Sequence, residues 1–171
     1  MNYHNITTDD MLNGDGLRVV LWVSGCSQKC FNCHNPQTHD FNSGIPFTGE
    51  TMQELLDDLS QPYISGLTLS GGHPLEYQNL ETVYKIVKTI KEKFPSKTIW
   101  LYTGYTWEEM LPLTKERALE FWGKGFPIYA LYEDDSESIV EDEGQILKHE
   151  GLFGIGKTDW RRILFTRTAL Y

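Results

Sequence analysis

Apolar and polar positions follow two rhythms along this chain. Residues 18–23 (RVVLWV) form a short, apolar, β-branched run of the kind found in buried strands. After the turn-rich segment 42–46, Thr48 is placed to cap a helix whose Met52, Leu55, Leu56 and Leu59 share one face, leaving Asp57 and Asp58 to water. Residues 66–70 (GLTLS) return to the strand rhythm and run into Gly71-Gly72-His73-Pro74. An amphipathic helix follows, with Leu80, Val83, Tyr84, Val87, Ile90 and Phe94 inward and Lys85, Lys88, Lys91 and Lys93 mostly outward. Pro95 closes that helix, and 98–102 (TIWLY) predict a third strand ending at Thr103-Gly104-Tyr105.

Strands alternating with helices specify an α/β fold with a parallel sheet and right-handed crossovers. In such sheets ligands bind beyond the carboxyl ends of the strands. The loop after residue 23, the Gly-Gly-His-Pro turn and the Thr-Gly-Tyr turn are therefore expected on one rim. Past about residue 113 the pattern changes: 114–122 reads as helix, 127–132 (PIYALY) as strand, and the acidic run 133–143 as a turn with a hairpin or helix start. The tail also spells a phosphate-loop pattern from Gly151 through Gly156, Lys157 and Thr158. That pattern needs a buried strand before it and a helix after it. A polar run precedes it and too few residues follow, so it is read as coincidence.

Length and charge narrow the function. At 171 residues and 40% hydrophobic content, the chain suffices for one domain, or a small domain with an appendage. No stretch approaches the roughly 20 apolar residues that span a bilayer, and MNYHNITTDD lacks the pattern of a signal peptide, so the expected location is the cytoplasm, with no membrane partner. A formal charge of -9 with no Lys/Arg cluster argues against nucleic acid as a partner.

The three cysteines, Cys26, Cys30 and Cys33, stand together as CxxxCxxC, an odd and clustered set that suits metal ligation better than disulfides. Three thiolates can hold three corners of a 4Fe-4S cluster and leave the fourth iron open. The amino and carboxylate groups of S-adenosylmethionine are the expected occupants of that iron. The alternative is a Cys3His zinc site completed by His34 or His39, although zinc ligands more often come as two close pairs.

The stretches MNYHNIT, NGDGLRVVLWVSGC, CFNCHNPQT, SGIPFT, ISGLTLSGG and IWLYTGYTWEEM resemble the activating proteins of anaerobic ribonucleoside-triphosphate reductases, in the radical S-adenosylmethionine superfamily. The resemblance covers about residues 1–111, a radical S-adenosylmethionine core, and leaves 112–171 as a divergent C-terminal module. It implies a partial, open parallel βα barrel of the radical S-adenosylmethionine type, with a small α+β C-terminal segment. It also implies a 4Fe-4S cluster on Cys26, Cys30 and Cys33, which carry the catalysis. Asn32, His34 and Gly72 would lie against S-adenosylmethionine, with Gly71, His73 and Tyr105 as further cofactor-binding residues. The implied activity is reductive cleavage of S-adenosylmethionine and abstraction of a hydrogen atom from a glycine of the reductase, with an electron from reduced flavodoxin or a similar donor. A chain too short for a full barrel has an open side through which a partner's loop can enter.

Two features depart from the family pattern. His73 stands where the Gly-Gly-x-Pro turn is normally acidic and helps to hold the cofactor's amino group. A neutral imidazole supplies no negative charge, so His73→Asp is expected to tighten cofactor binding. The family's closing stretches, resembling VDVLVDG and RGSSNQR, are missing; residues 114–160 instead resemble a small module of phage and plasmid polyvalent proteins. The alternative functions are an impaired relative that acts by binding or regulation, and a zinc-binding interaction domain.

Overall fold

The computed structural model describes residues 1–105 and, beyond them, strands at 128–131, 141–142, 145–146 and 161–165. The chain opens with β1 (Asn2–Asp10), turns through 11–16 into β2 (Leu17–Val23), and crosses the cysteine loop to the short β3 (Ile45–Pro46). Helix α1 (Gly49–Leu59), β4 (Ile64–Gly71), α2 (Tyr77–Lys93) and β5 (Thr98–Thr103) complete the regular part. β6 (Ile128–Leu131), β7 (Glu141–Asp142), β8 (Gln145–Ile146) and β9 (Arg161–Phe165) follow.

Seven strands make one mixed sheet in the order β3-β1-β2-β4-β5-β9-β6, while β7 and β8 pair as a separate antiparallel hairpin. The predicted parallel unit is its center: β2 pairs with β4, and β4 with β5, all parallel. Its flanks differ from the all-parallel expectation. β1 lies antiparallel on the outer edge of β2, β3 on β1, and β9 and β6 extend the β5 side antiparallel. β1 escapes the hydrophobic pattern because only Tyr3 in it is buried; main-chain bonds, rather than apolar burial, seat it on an otherwise open edge. The expected strand at 127–132 appears as β6, and β6 and β9 join the same sheet as the core strands. The helix expected at 114–122 and the phosphate-loop pattern at 151–158 lie outside the described residues.

Helix α1 starts where Thr48 marks it, through a capping box in which the Thr48 and Thr51 side chains each bond the other's backbone N–H. Leu55, Leu56 and Leu59 are buried and Met52 packs at their margin. In α2, Val83, Ile86, Val87 and Ile90 are buried, with Leu80 and Phe94 partly so. Lys91 departs from the expected outer face: it is buried, and its ammonium donates to the carbonyls of Pro95 (3.4 Å) and Lys97 (2.8 Å) at the helix end. These helix faces cover Val19, Leu21, Val23, Leu67, Leu69, Ile99 and Leu101 of the central strands. No helix among the described residues is long and apolar enough to cross a membrane.

A charge is built into this core. Arg18 is fully buried, and its guanidinium donates to Thr68 Oγ1 (2.7 Å), Thr98 Oγ1 (2.8 Å) and the carbonyls of Leu67 (2.7 Å), Asp15 (3.1 Å) and Thr98 (3.2 Å). It also lies over the Trp100 ring at 5.6 Å. Burial lowers its pKa to about 10, against the attraction of Asp15, Tyr102 and Asp10, so it stays charged at neutral pH. Arg18 ties β2, β4 and β5 together near their starts. The Asn13-Gly14-Asp15-Gly16 turn beside it lies at the opposite end of β2 from the cysteines.

Candidate functional site

β2 delivers the cysteine loop to the rim. Ser24 and Gly25 are still buried, Cys26 is half-buried, Cys30 is exposed and Cys33 is half-buried. The loop curls through left-handed backbone at Lys29 (φ 45°) and Asn32 (φ 53°), and closes a turn from Cys33 N–H to the Cys30 carbonyl (3.3 Å). It returns through a single 3-10 turn at Pro36–Thr38 and lies beside its own start, where Gly25 N–H donates to Thr38 O (2.7 Å) and Cys26 N–H to His39 O (3.1 Å). Gly25 is obligatory here: its φ is +92° and an added Cβ would sit 2.1 Å from the Phe41 ring.

Three loops meet at this place. Gly72 N–H donates to Val23 O and His73 N–H to Gly25 O, both at 2.8 Å, so the Gly-Gly turn is bonded directly to the root of the cysteine loop. A Cβ on Gly72 would fall 2.6 Å from Gly25 O, which makes glycine the residue that permits this approach. The third loop, after β5, brings Gly104 against the Gln28 side chain and Tyr105 edge-on to the His73 ring at 4.2 Å. Gly71, Gly72, His73 and Tyr105 thus gather with the loop that bears the cysteines. Asn32 and His34 lie on its exposed outer part.

His73 is only 2% exposed, and its ring is held at both nitrogens. Nδ1 lies 3.3 Å from Glu76 Oε1 and Nε2 lies 2.7 Å from Thr103 Oγ1, which itself accepts the Tyr105 N–H (3.1 Å). A carboxylate can only accept, so the arrangement places the proton on Nδ1 and lets the Thr103 hydroxyl donate to Nε2. Burial lowers the His73 pKa although Glu76 acts to raise it, and the ring is neutral at pH 7.

Glu76 crosses to the cysteine loop. Its Oε1 accepts from Ser27 N–H (2.8 Å) and Ser27 Oγ (2.6 Å), the residue directly after Cys26. Burial raises its pKa, but the two Ser27 bonds with the His73 contact outweigh that and the net shift is downward. Burial also pushes the Cys26 thiol up, Glu76 and Cys30 add to this, and the main-chain N–H groups of Gln28 and Lys29 oppose it.

Glu76, Asn79 and Ser27 did not emerge from the sequence pattern, and Thr103 emerged only as the start of the Thr-Gly-Tyr turn. Asn79 is the most legible of them in retrospect. It falls four residues before Val83 and so on the inward face of α2. There its amide donates to Ser24 O (2.9 Å) and His73 O (3.1 Å), fastening both loops to the first turn of the helix.

Among the described residues the three thiols are not drawn into a shell around one metal ion. The donor chemistry suits an iron-sulfur cluster: three soft sulfur ligands sit on one rim loop, and Asn35 N–H already donates to Cys33 Sγ (3.4 Å).

Comparison with known proteins agrees. Residues 12–123 match the model of a 4Fe-4S single cluster domain. The chain is similar to the anaerobic ribonucleoside-triphosphate reductase-activating protein of Enterobacteria phage T4, 38% identical over 156 residues that cover 88% of this chain and 100% of that protein. The protein of the same name from Escherichia coli K12 is 42% identical over 112 residues, 64% of this chain and 73% of its own. That from Pasteurella multocida is 39% identical over 121 residues, 70% and 77%. The phage alignment covers more of the chain than residues 1–111 contain, so similarity runs into the C-terminal segment. No solved structure gives a significant match.

Proposed function

The chain belongs to the anaerobic ribonucleoside-triphosphate reductase-activating proteins, and on that premise we propose that it is the enzyme that places a glycyl radical on such a reductase. In this reading Cys26, Cys30 and Cys33 hold three irons of a 4Fe-4S cluster and S-adenosylmethionine takes the fourth. When bound, the pair supplies reductive cleavage of the sulfonium and, from it, the abstraction of a hydrogen atom from a glycine of the partner.

The chain's own residues position and shield. The bond from Asn35 N–H to Cys33 Sγ is of the kind that stabilizes thiolate charge on a cluster. The Gly71-Gly72 turn, without side chains, lies directly against the end of β2 and the root of the cysteine loop, and Tyr105 walls one side through its contact with His73. Asn79 keeps the two loops in fixed register. The central β2-β4-β5 unit serves as part of an open radical S-adenosylmethionine barrel, whose unclosed side admits the partner's glycine loop. Reduced flavodoxin or a similar low-potential protein is the electron donor in this reading.

The observation that carries the reading is the direct bonding of the Gly-Gly turn to the root of the three-cysteine loop, His73 N–H to Gly25 O at 2.8 Å. The test is anaerobic reconstitution with iron and sulfide, then reductant and S-adenosylmethionine. Brown protein that forms 5′-deoxyadenosine, and a glycyl radical in electron paramagnetic resonance once the reductase is added, is the expected result. Colorless, zinc-loaded protein would refute it.

A further inference from the structure

S-adenosylmethionine brings a positively charged sulfonium, and its amino group keeps N–H bonds that need an acceptor once the nitrogen is given to iron. A partly dry site that holds it therefore gains from a counter-charge supplied by the protein. The residues nearest the cysteines do not supply one. Residues 24–35 contain no Asp or Glu and include Lys29, and the turn 71–75 (GGHPL) contains none either. His73 is neutral and spends both ring nitrogens on Thr103 and Glu76.

The acid that reaches this place is Glu76, and the manner in which it does so is informative. It occupies the N-cap of α2, where a side chain ordinarily accepts an N–H of the first helical turn, yet it makes no such bond. The chain folds back through Glu76 N–H to His73 O (3.1 Å), bringing the side chains of positions 73 and 76 within 3.3 Å of each other. Oε1 then takes all three contacts, two from Ser27 and one from His73. Among the described residues Oε2 accepts no hydrogen bond, and the side chain keeps 10% of its surface accessible. One oxygen anchors the carboxylate to the cysteine loop, and the other remains for a ligand.

We propose that Glu76 accepts a hydrogen bond from the amino group of S-adenosylmethionine, supplying from one turn further along the chain the negative charge that position 73 lacks. The proposal rests on the reading of the site as one for S-adenosylmethionine. It also changes the outlook for His73→Asp alone, which would bring a second carboxylate against Glu76 in a buried setting.

Glu76→Gln tests this, because the amide oxygen can still accept from Ser27 while the charge is gone. Iron content and equilibrium binding are measured on the anaerobically reconstituted full chain with two probes, S-adenosylmethionine and 5′-methylthioadenosine, which lacks the amino group. The expected result is wild-type iron content, about tenfold or greater loss of S-adenosylmethionine affinity, and unchanged 5′-methylthioadenosine affinity. Recovery of most of the S-adenosylmethionine affinity in His73→Asp/Glu76→Gln would support the role of charge. Unchanged S-adenosylmethionine affinity in Glu76→Gln, equal losses for both probes, or loss of iron would overturn the proposal; the last two outcomes would make Glu76 a clamp on the loop. Wild-type protein that binds no S-adenosylmethionine would instead overturn the functional reading on which the proposal stands.

Discussion

Gly72→Ala perturbs the junction between the Gly-Gly turn and the cysteine loop at one atom. The added Cβ would lie 2.6 Å from Gly25 O and 3.1 Å from Gly25 C and N, all main-chain atoms that cannot rotate away. An unstrained carbon-oxygen approach is about 3.3 Å, so the turn and the cysteine loop must separate by roughly 0.7 Å. The bonds that hold this junction, Gly72 N–H to Val23 O and His73 N–H to Gly25 O, are both 2.8 Å and would stretch beyond good geometry. At about 0.5–1.5 kcal/mol net for each weakened bond, the expected loss of stability is about 1–3 kcal/mol. Catalysis is more sensitive, because displacement on the order of 1 Å lowers rates about 100-fold; a fall of roughly 10- to 100-fold in 5′-deoxyadenosine formation is expected. Gly49→Ala is the matched control. Its Cβ meets nothing within 4 Å at the start of α1, and it is expected to be neutral or to stabilize by up to about 1 kcal/mol. Urea denaturation and anaerobic turnover of both variants check the reasoning. If Gly72→Ala retains the stability and turnover of Gly49→Ala, the close approach of the loops does not govern the site.

Further expectations follow from the same geometry. Cys30 is exposed and outside the core, so Cys30→Ser should abolish cluster uptake, read from iron content and visible absorbance, while changing apoprotein stability by no more than about 0.5 kcal/mol. Arg18→Met should destabilize by about 3 kcal/mol or more in denaturant titration, since it strands the buried acceptors at Leu67, Thr68 and Thr98; a loss below about 1 kcal/mol would show that those groups find other partners. Burial depresses the His73 pKa below its unfolded value, so the unfolded chain binds the proton more readily and stability falls as pH drops below about 6.5. His73→Gln should flatten the stability profile between about pH 7 and 5; an unaltered slope would place that pH dependence elsewhere.

The apolar rhythm alone specified β2, β4, β5 and both helices, because each buries a face or a whole element, and burial must be written in residue type. Met52, Leu55, Leu56 and Leu59 are legible for that reason, as is the cysteine motif, since thiolate chemistry requires those residues at close spacing. Gly71 and Gly72 also stand out, where backbone must come close to backbone. Elements held by main-chain bonds carry no such mark. β1 is polar along most of its length and was invisible until β2 offered it an edge, and strand direction at both flanks followed from pairing rather than composition. Lys91 misled because the turn beyond α2 supplies carbonyls for its ammonium, a pairing that helical periodicity does not carry.

The site shows the same division most sharply. Sequence alone settled that three thiols follow a buried strand and that a glycine turn follows the next one. Only the folded chain decided that Glu76 leaves its own helix to bond Ser27, that Asn79 spans both loops, and that His73 is sealed between Thr103 and Glu76. The bonds of Glu76 to Ser27, His73 to Thr103 and Asn79 to Ser24 join residues 30 to 55 positions apart, and such partners depend on which loops the sheet brings to one rim.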